Sequence, residues 1–281
     1  MAKVPVMAVI PAYNAAKTLP KLLEQILLQG YDGIFVLDDA STDRTVKIAE
    51  KYSPRVKVIK GKTNVGAGAN RNRIIGQVAP DVIIHFIDAD VRLVSKNNPA
   101  IIRGLEWKAD TAYYGGLLRN PAGEQNPFNF GPRPCLATSL SSSIQYGLWQ
   151  LSYRAPKLAK VLRSSLNFYL KSWPNIFKQQ KLRQVFWTAE SNLIIKAGLF
   201  RELGGYDPQF RYGEINDLGL RLEKAGYKSW FLPQVDLLHT STDNVYLHIN
   251  DKRIARRQLV KKYGHTMSLW PWLYKKRLNI K

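Results

Sequence analysis

The sequence predicts an α/β fold: a mostly parallel central sheet flanked by helices, with a basic helical insertion and a basic carboxy-terminal extension. Three observations predict it. Short apolar runs alternate with stretches of helical periodicity from Val9 to Asp90. Each apolar run ends in polar residues just before the next helix begins. The basic side chains crowd into two stretches that contain no acid. Alternation at this spacing implies strand–helix–strand connections, and so parallel strands covered on both faces.

The elements follow in order. Val9-Ile10 runs into Pro11-Ala12-Tyr13-Asn14, and an amphipathic stretch from Thr18 to Leu28 reads as the first helix. Ile34-Phe35-Val36-Leu37 ends in Asp38-Asp39-Ala40-Ser41-Thr42-Asp43, and a second helix opens at Arg44. Asp38 and Asp43 can serve as turn and cap acids, and the cap is favoured for Asp43. Val56-Lys57-Val58-Ile59 precedes Asn64-Val65-Gly66, with Arg71-Asn72 beyond. Ile84-His85-Phe86-Ile87 then delivers Asp88-Ala89-Asp90. Side chains alternate along a strand, so Asp88 and Asp90 point to the same side. Two adjacent carboxylates repel each other, and a divalent cation between them removes that cost. A solvated turn is the competing reading of the motif taken alone. Ligands of such sheets bind beyond the carboxyl ends of the strands, so the polar ends of all four runs collect on one edge.

The chain's 281 residues can bury a full core. A lone Cys135 excludes an intramolecular disulfide framework, fits a reducing compartment and reads as a packed small residue. Met1 to Ile10 runs directly into the first strand, so no amino-terminal signal is expected. Lys and Arg number 42 against 21 Asp and Glu, a net charge of +21. From Gln125 to Ala189, and again after Asp251, every charged side chain is basic. Such runs usually meet an anionic surface. Between Ala155 and Lys171, Leu158, Val161, Leu162, Leu166 and Tyr169 fall at helical spacing, with Lys157, Lys160 and Arg163 mostly elsewhere on the wheel. That is a basic amphipathic helix started at Pro156, of the kind that lies among the headgroups of anionic bilayers. Trp270 and Trp272 beside Lys275, Lys276 and Arg277 fit the same interface. The alternative is that the helix packs its apolar face on the main domain. Nucleic acid is not expected, because no recognised binding motif accompanies the charge. Nor is a spanning helix: the uncharged stretch Pro134 to Tyr153 is rich in Ser, Thr and Gln.

The ordered motifs Pro11-Ala12-Tyr13-Asn14, Asp38 to Asp43, Asn64-Val65-Gly66 with Arg71-Asn72, and Asp88-Ala89-Asp90 resemble the family 2 inverting glycosyltransferases, which have the GT-A fold. Leu203-Gly204-Gly205-Tyr206-Asp207, then Gly213-Glu214 to Asp217-Leu218 with Arg221-Leu222, continue the pattern. The resemblance implies a GT-A domain over 1–240, and the charge pattern adds a basic insertion at about 125–186 and a helical membrane-interface extension over 241–281. The same resemblance implies a nucleotide-sugar donor, most often a UDP-sugar, and Mn²⁺ or Mg²⁺ on Asp88 and Asp90. In many relatives a histidine like His239, at a late strand end, completes the metal site. Pro11, Ala12, Tyr13 and Asn14 would wall the nucleoside pocket. Asp39 would accept from the base, Arg71 would lie near the diphosphate, and Asp88 with Ala89 would meet the ribose side. His85 reads as packed, and His248 and His265 carry no site signal.

The resemblance also places a general base near Gly213-Glu214, and there the chain departs from its relatives. They usually carry Glu-Asp, one residue, then Asp-Leu; here Ile215 replaces the second acid. Glu214 becomes the leading base and Asp217 the second, with Glu190 a third candidate. Asp217 has a rival role as a helix-start acid pairing with Arg221. The expected function is metal-dependent, inverting sugar transfer to a membrane-associated acceptor, a lipid-linked glycan or polyprenyl phosphate. The enzyme would be cytoplasmic and held on the inner face of the membrane. A membrane-bound nucleotide-sugar-binding module without turnover, or a transferase acting on a soluble polyanion, are the alternatives. A nucleotidyltransferase fits less well, because no glycine-rich activating loop follows the first strand.

Overall fold

A computed structural model describes residues 3–126, 129–135, 138, 144, 147–148, 151, 154–166, 181–240 and 249–264. The aromatic tail with Trp270 and Trp272, together with Tyr169, Lys171, His248 and His265, lies outside the described residues.

The first half alternates as expected. Strand β1 (Val6–Ala12) is followed by α1 (Leu19–Leu27), β2 (Gly33–Asp38), α2 (Thr45–Glu50), β3 (Val56–Lys60), the short α3 (Ala67–Arg71) and β4 (Ile83–Ile87). Then come β5 (Val91–Leu93), α4 (Asn98–Arg103), β6 (Thr111–Arg119) and β7 (Phe130–Gly131). Helix α5 (Pro156–Leu166) precedes β8 (Arg183–Val185), β9 (Trp187–Thr188), β10 (Asn192–Lys196) and α6 (Ala197–Glu202). Helix α7 (Glu214–Lys224), β11 (Lys228–His239) and α8 (Ile249–Tyr263) complete the described chain.

One sheet runs in the order β3-β2-β1-β4-β10-β6-β11-β5, with β8 also on β11, and β7 pairs with β9 apart from it. It is parallel from β3 to β4, and β10 then enters antiparallel to both β4 and β6. Alternate residues of a strand face opposite ways, and two core clusters follow that rule. Val9, Phe35, Leu37 and Phe86 pack with Phe200, Leu218 and Leu222 on one face. Ala8, Ile10, Ile34 and Val36 pack on Leu19, Leu22, Leu23 and Ile26 of α1 on the other. The sheet therefore has helices on both sides, and its carboxyl edge is left for ligands.

Asn192 locks the strands together beside that edge. Its amide nitrogen donates to the carbonyls of Leu117 (2.9 Å) and Val235 (3.0 Å). Its oxygen must then accept, from His85 Nε2 at 2.8 Å. His85 Nδ1 in turn accepts from the Tyr31 hydroxyl at 2.8 Å. His85 is thus a neutral packed histidine, as the sequence suggests, with burial driving its pKa down to about 4. Gly116 has to be glycine, since a Cβ there would fall 2.1 Å from the Asn192 amide.

Helix α5 starts at Pro156, and the described residues of its apolar arc are exposed in part. Leu158, Val161 and Leu162 are 51%, 61% and 37% exposed, and Ala159 is the buried position. Lys157 and Lys160 are exposed as well. No described helix is long and apolar enough to cross a membrane.

Candidate active site

The carboxyl ends of β1, β2 and β4 deliver the predicted residues to one edge. Asp88 follows β4 directly, and its amide bonds to the Ser191 carbonyl. Strand β5 pairs antiparallel with the end of β11, with Val91 opposite His239. That register sets His239 beside Asp90, with Nε2 3.4 Å from a carboxylate oxygen. Thr240 closes the corner by donating its amide (2.8 Å) and hydroxyl (2.5 Å) to the Asp90 carbonyl. Ligand atoms from Asp88, Asp90 and His239 all lie within 4.8 Å of one another. Two carboxylates and an imidazole at a half-exposed strand edge fit a hard or borderline divalent cation such as Mg²⁺ or Mn²⁺.

Arg71 joins this group to a second one. It is 1% exposed, and NH2 donates to Asp88 at 2.5 Å. Its Nε and its other terminal nitrogen are buried without hydrogen-bond partners. Phe86 and Tyr206 flank the guanidinium at 5.9 Å. Burial opposes the charge, but Asp88, Glu190 and Glu214 together hold the Arg71 pKa above its usual value. Glu190 follows β9, and Glu214 opens α7. Burial and then the charge of Glu214 raise Glu190 well above the carboxylate range, with Arg71 opposing. Burial also raises Glu214, again against Arg71. One Glu190 oxygen is buried without a hydrogen-bond partner among the described residues. Gly68 of α3 makes room for Glu214, since a Cβ there would sit 3.0 Å from its Cγ.

Four other predicted residues serve the scaffold. Asp217 is fully buried and does not join the other acids. One oxygen accepts from Arg221 at 2.9 Å, the other from Lys262 and Tyr263 at 2.6 Å each. The helix-start reading of Asp217 therefore describes its place better than the base. Asp39 is 2% exposed, and its carboxylate accepts from the amides of Val65 (3.0 Å) and Gly66 (2.9 Å) and from Arg73 (3.3 Å). Those bonds secure the turn into α3. Asn14 accepts from the Thr42 amide at 2.9 Å and so clamps the 41–43 turn. Asp43 accepts from the amides of Thr45 (2.8 Å) and Ala16 (3.1 Å) and so secures the turn into α2, whose N-cap position is Arg44 rather than Asp43. Pro11 and Ala12 are buried where β1 ends, Ala89 is buried in the Asp-x-Asp turn, and Tyr13 is half exposed. Ile215 lies in the core with Leu218 and Leu222, so the helix turn that exposes Glu214 to Arg71 buries its neighbour.

Several site residues escaped the sequence reading. Tyr206 sits in the quoted Gly204-Gly205-Tyr206-Asp207 motif, yet nothing in that motif says that its ring meets Arg71. Asn192 and the Lys262–Tyr263 contacts to Asp217 are long-range pairings with no local signal.

Comparison with known proteins agrees with this geometry. The profile described as glycosyl transferase family 2 matches residues 7–134. The N-acetylglucosaminyl-diphospho-decaprenol L-rhamnosyltransferase of Mycobacterium tuberculosis is 28% identical over 253 residues, 84% of this chain and 75% of that protein. The putative glycosyltransferase EpsE of Bacillus subtilis is 37% identical over 84 residues, 28% of this chain and 30% of its own length. Among solved structures, GalNAc-T7 with UDP, GalNAc and Mn²⁺ superposes with a TM-score of 0.60 at 15% identity, over 84% of this chain and 44% of that one. The Pyrobaculum calidifontis mannosyltransferase in complex with GDP-Man and Mn²⁺ gives 0.56 at 17%, over 92% of this chain and 62% of that one. At these identities the structural likeness establishes the GT-A fold. The family profile over residues 7–134 and the named relatives make the chain similar to glycosyl transferase family 2, and the Asp-x-Asp edge lies within the matched part.

Proposed function

We propose that the protein transfers a sugar, with inversion, from a nucleotide-sugar donor to a lipid-linked acceptor at an anionic membrane surface. The observation that carries this reading is the continuity of the site. Asp88, Asp90 and His239 cluster at the sheet edge, and Arg71 connects them to Glu190 and Glu214. Asp88, Asp90 and His239 would hold Mn²⁺ or Mg²⁺, which supplies Lewis-acid stabilisation for a diphosphate leaving group. Arg71 holds Asp88 in place and adds positive charge behind it. A UDP-sugar is the favoured donor. Both Asp39 and Asn14 shape the loops around the nucleoside side, with Pro11, Ala12 and Tyr13 beside them.

The acceptor hydroxyl must lose a proton as it attacks the anomeric carbon. Glu190 and Glu214 are two buried acids with different environments, and such pairs divide acid and base roles. Burial raises both carboxyls above their ordinary range while Arg71 opposes it, and Glu214, which opens α7, is the one read as accepting the proton. Inversion follows from a single displacement with base and leaving group on opposite sides of the sugar.

Two features support a lipid-side acceptor. The mycobacterial relative is, by name, an N-acetylglucosaminyl-diphospho-decaprenol L-rhamnosyltransferase. The exposed arc of Leu158, Val161 and Leu162 beside Lys157 and Lys160 is suited to lie among anionic headgroups. The insertion leaves and re-enters the fold next to Glu190, where the Ala189 amide bonds to the Asn129 carbonyl at 2.8 Å. The test is nucleoside diphosphate release from a panel of UDP-, GDP- and dTDP-sugars with Mn²⁺ and a polyprenyl-diphosphate glycan. Wild type should turn over one donor, and Glu214→Gln should bind that donor without turnover. A wild-type chain that binds a donor and never releases diphosphate would be a binding module instead.

A further inference from the structure

Helix α8 lies across the turn that leads into α7. A Cβ on Gly213 would meet the Ala255 methyl at 3.4 Å and Leu259 at 3.9 Å. Leu259 packs on Phe210 and Leu220, with Tyr263 against them. Gln258 donates to the Gln209 carbonyl at 3.0 Å. These contacts would already hold the helix down. The end of α8 does something more specific.

Lys262 donates to Asp207 at 2.7 Å and to Asp217 at 2.6 Å, and the Tyr263 hydroxyl donates to the same Asp217 oxygen at 2.6 Å. The second Asp217 oxygen takes Arg221 Nε, whose other nitrogens donate to the carbonyls of Leu203 and Gly205 at 2.7 Å each. One wholly buried carboxylate therefore joins α8, α7 and the 203–207 loop. That loop carries Tyr206, and the first turn of α7 carries Glu214 three residues before Asp217. A buried ion pair is weak evidence for stability, because apolar residues of the same volume often do as well. What it does supply is a fixed geometry. Burial and the Asp217 contact push the Tyr263 hydroxyl up to about 12, so it stays a donor at neutral pH.

We propose that Lys262 and Tyr263 are positioning residues for sugar transfer: through Asp217 they set the rotation and depth of the first turn of α7, and so the place of Glu214. The inference rests on the reading of Glu214 as the base. A base displaced by even about 1 Å can lose about a hundredfold in rate. The hydrogen bonds of the two α8 side chains given above run to Asp207 and Asp217 and not to Arg71, so their effect should reach turnover and leave donor binding alone.

The experiment measures kcat and donor KM with the most active nucleotide sugar of the panel and Mn²⁺. The proteins are wild type, Lys262→Met, Lys262→Arg, Tyr263→Phe, and Lys224→Met, which alters an exposed lysine at the far end of α7. Lys262→Met and Tyr263→Phe should each lower kcat by about tenfold, equivalent to about 1.4 kcal/mol of barrier. Donor KM should stay within about twofold, a loss confined to the transition state. Lys262→Arg, which keeps the charge, should recover most of the loss, and Lys224→Met should match wild type. Tyr263→Phe removes one oxygen and keeps the ring, so it reports on position even where Lys262→Met unfolds. The same Lys262→Met change in a Glu214→Gln background should cost little further. A dead Glu214→Gln beside a Lys262→Met and a Tyr263→Phe of wild-type kcat overturns the brace alone. Equal losses from Lys262→Met in both backgrounds also overturn it. A Glu214→Gln enzyme with full turnover overturns the base reading and the brace with it.

Discussion

Replacing Gly68 with alanine puts a methyl group where Glu214 now lies. The new carbon would sit 3.0 Å from Glu214 Cγ, 3.3 Å from Oε1 and 3.4 Å from Cβ. Ordinary carbon contacts lie at about 3.5–4.0 Å, so the Glu214 side chain must retreat by about 0.5–1 Å. Glu214 is 5% exposed, so it has little room to retreat into. The stability terms oppose each other. Alanine gains up to about 1 kcal/mol over glycine in a helix, and overpacking costs about 1–3 kcal/mol. The net destabilisation should stay below about 2 kcal/mol, so the protein should remain folded. Turnover is more sensitive, and a displacement of this size predicts a loss of about ten- to a hundredfold in kcat. The assays are urea unfolding and kcat for donor turnover on the same preparation. Full turnover in a folded Gly68→Ala protein would refute the placement of Glu214 as a rate-determining constraint.

Stability should fall on acidification because of His85. Its folded pKa of about 4 lies below the ordinary 6.5, so the unfolded chain binds a proton that the folded chain excludes. The loss begins near pH 6.5, is complete near pH 4 and amounts to about 3 kcal/mol. His85→Gln should flatten that window, and an unchanged slope in urea unfolding against pH would reject the neutral histidine. Arg71→Met strands Asp88, Glu190 and Glu214 without their common countercharge, and should cost about 3–5 kcal/mol at pH 7. The deficit should shrink on acidification, as the raised acids Glu190 and Glu214 take up protons, and a pH-independent deficit would show that the acids do not depend on Arg71. Replacing Lys157 and Lys160 with Glu, together with Val161→Ser, should abolish flotation with anionic vesicles at low salt. Wild-type flotation should weaken as salt rises without vanishing, since burial of the apolar arc is not screened. If wild type does not float with anionic vesicles at low salt, a soluble polyanionic acceptor becomes the better explanation of the basic surface.

The parallel half of the sheet was legible because each strand is a short apolar run with a polar end, and polar ends are where such sheets bind ligands. Asp88 and Asp90 could be read from their spacing, and His239 from its position at a strand end. The motif ranks Glu214 ahead of Asp217 as the base, but only the packing of α8 shows that Asp217 is engaged by Lys262 and Tyr263. Arg71 was read as a phosphate-side arginine, yet its full burial among three acids depends on α3, β4 and α7 meeting. β10 was not anticipated as antiparallel, since a buried run such as Asn192–Lys196 carries no sign of its direction. The apolar arc of α5 was visible as periodicity, but periodicity does not say whether the arc meets protein or lipid.

The most direct test is a thermal-shift titration of Mn²⁺ with a panel of UDP-, GDP- and dTDP-sugars on wild type and Asp90→Asn. A ligand at about 100 times its dissociation constant adds about 2.7 kcal/mol to the folded state. Wild type should be stabilised by one nucleotide sugar, and more strongly with Mn²⁺ than with EDTA. Asp90→Asn should unfold at the wild-type temperature without ligand and lose the Mn²⁺-dependent part of the shift. Equal stabilisation of both proteins, with or without Mn²⁺, would contradict a donor site built on Asp88, Asp90 and His239.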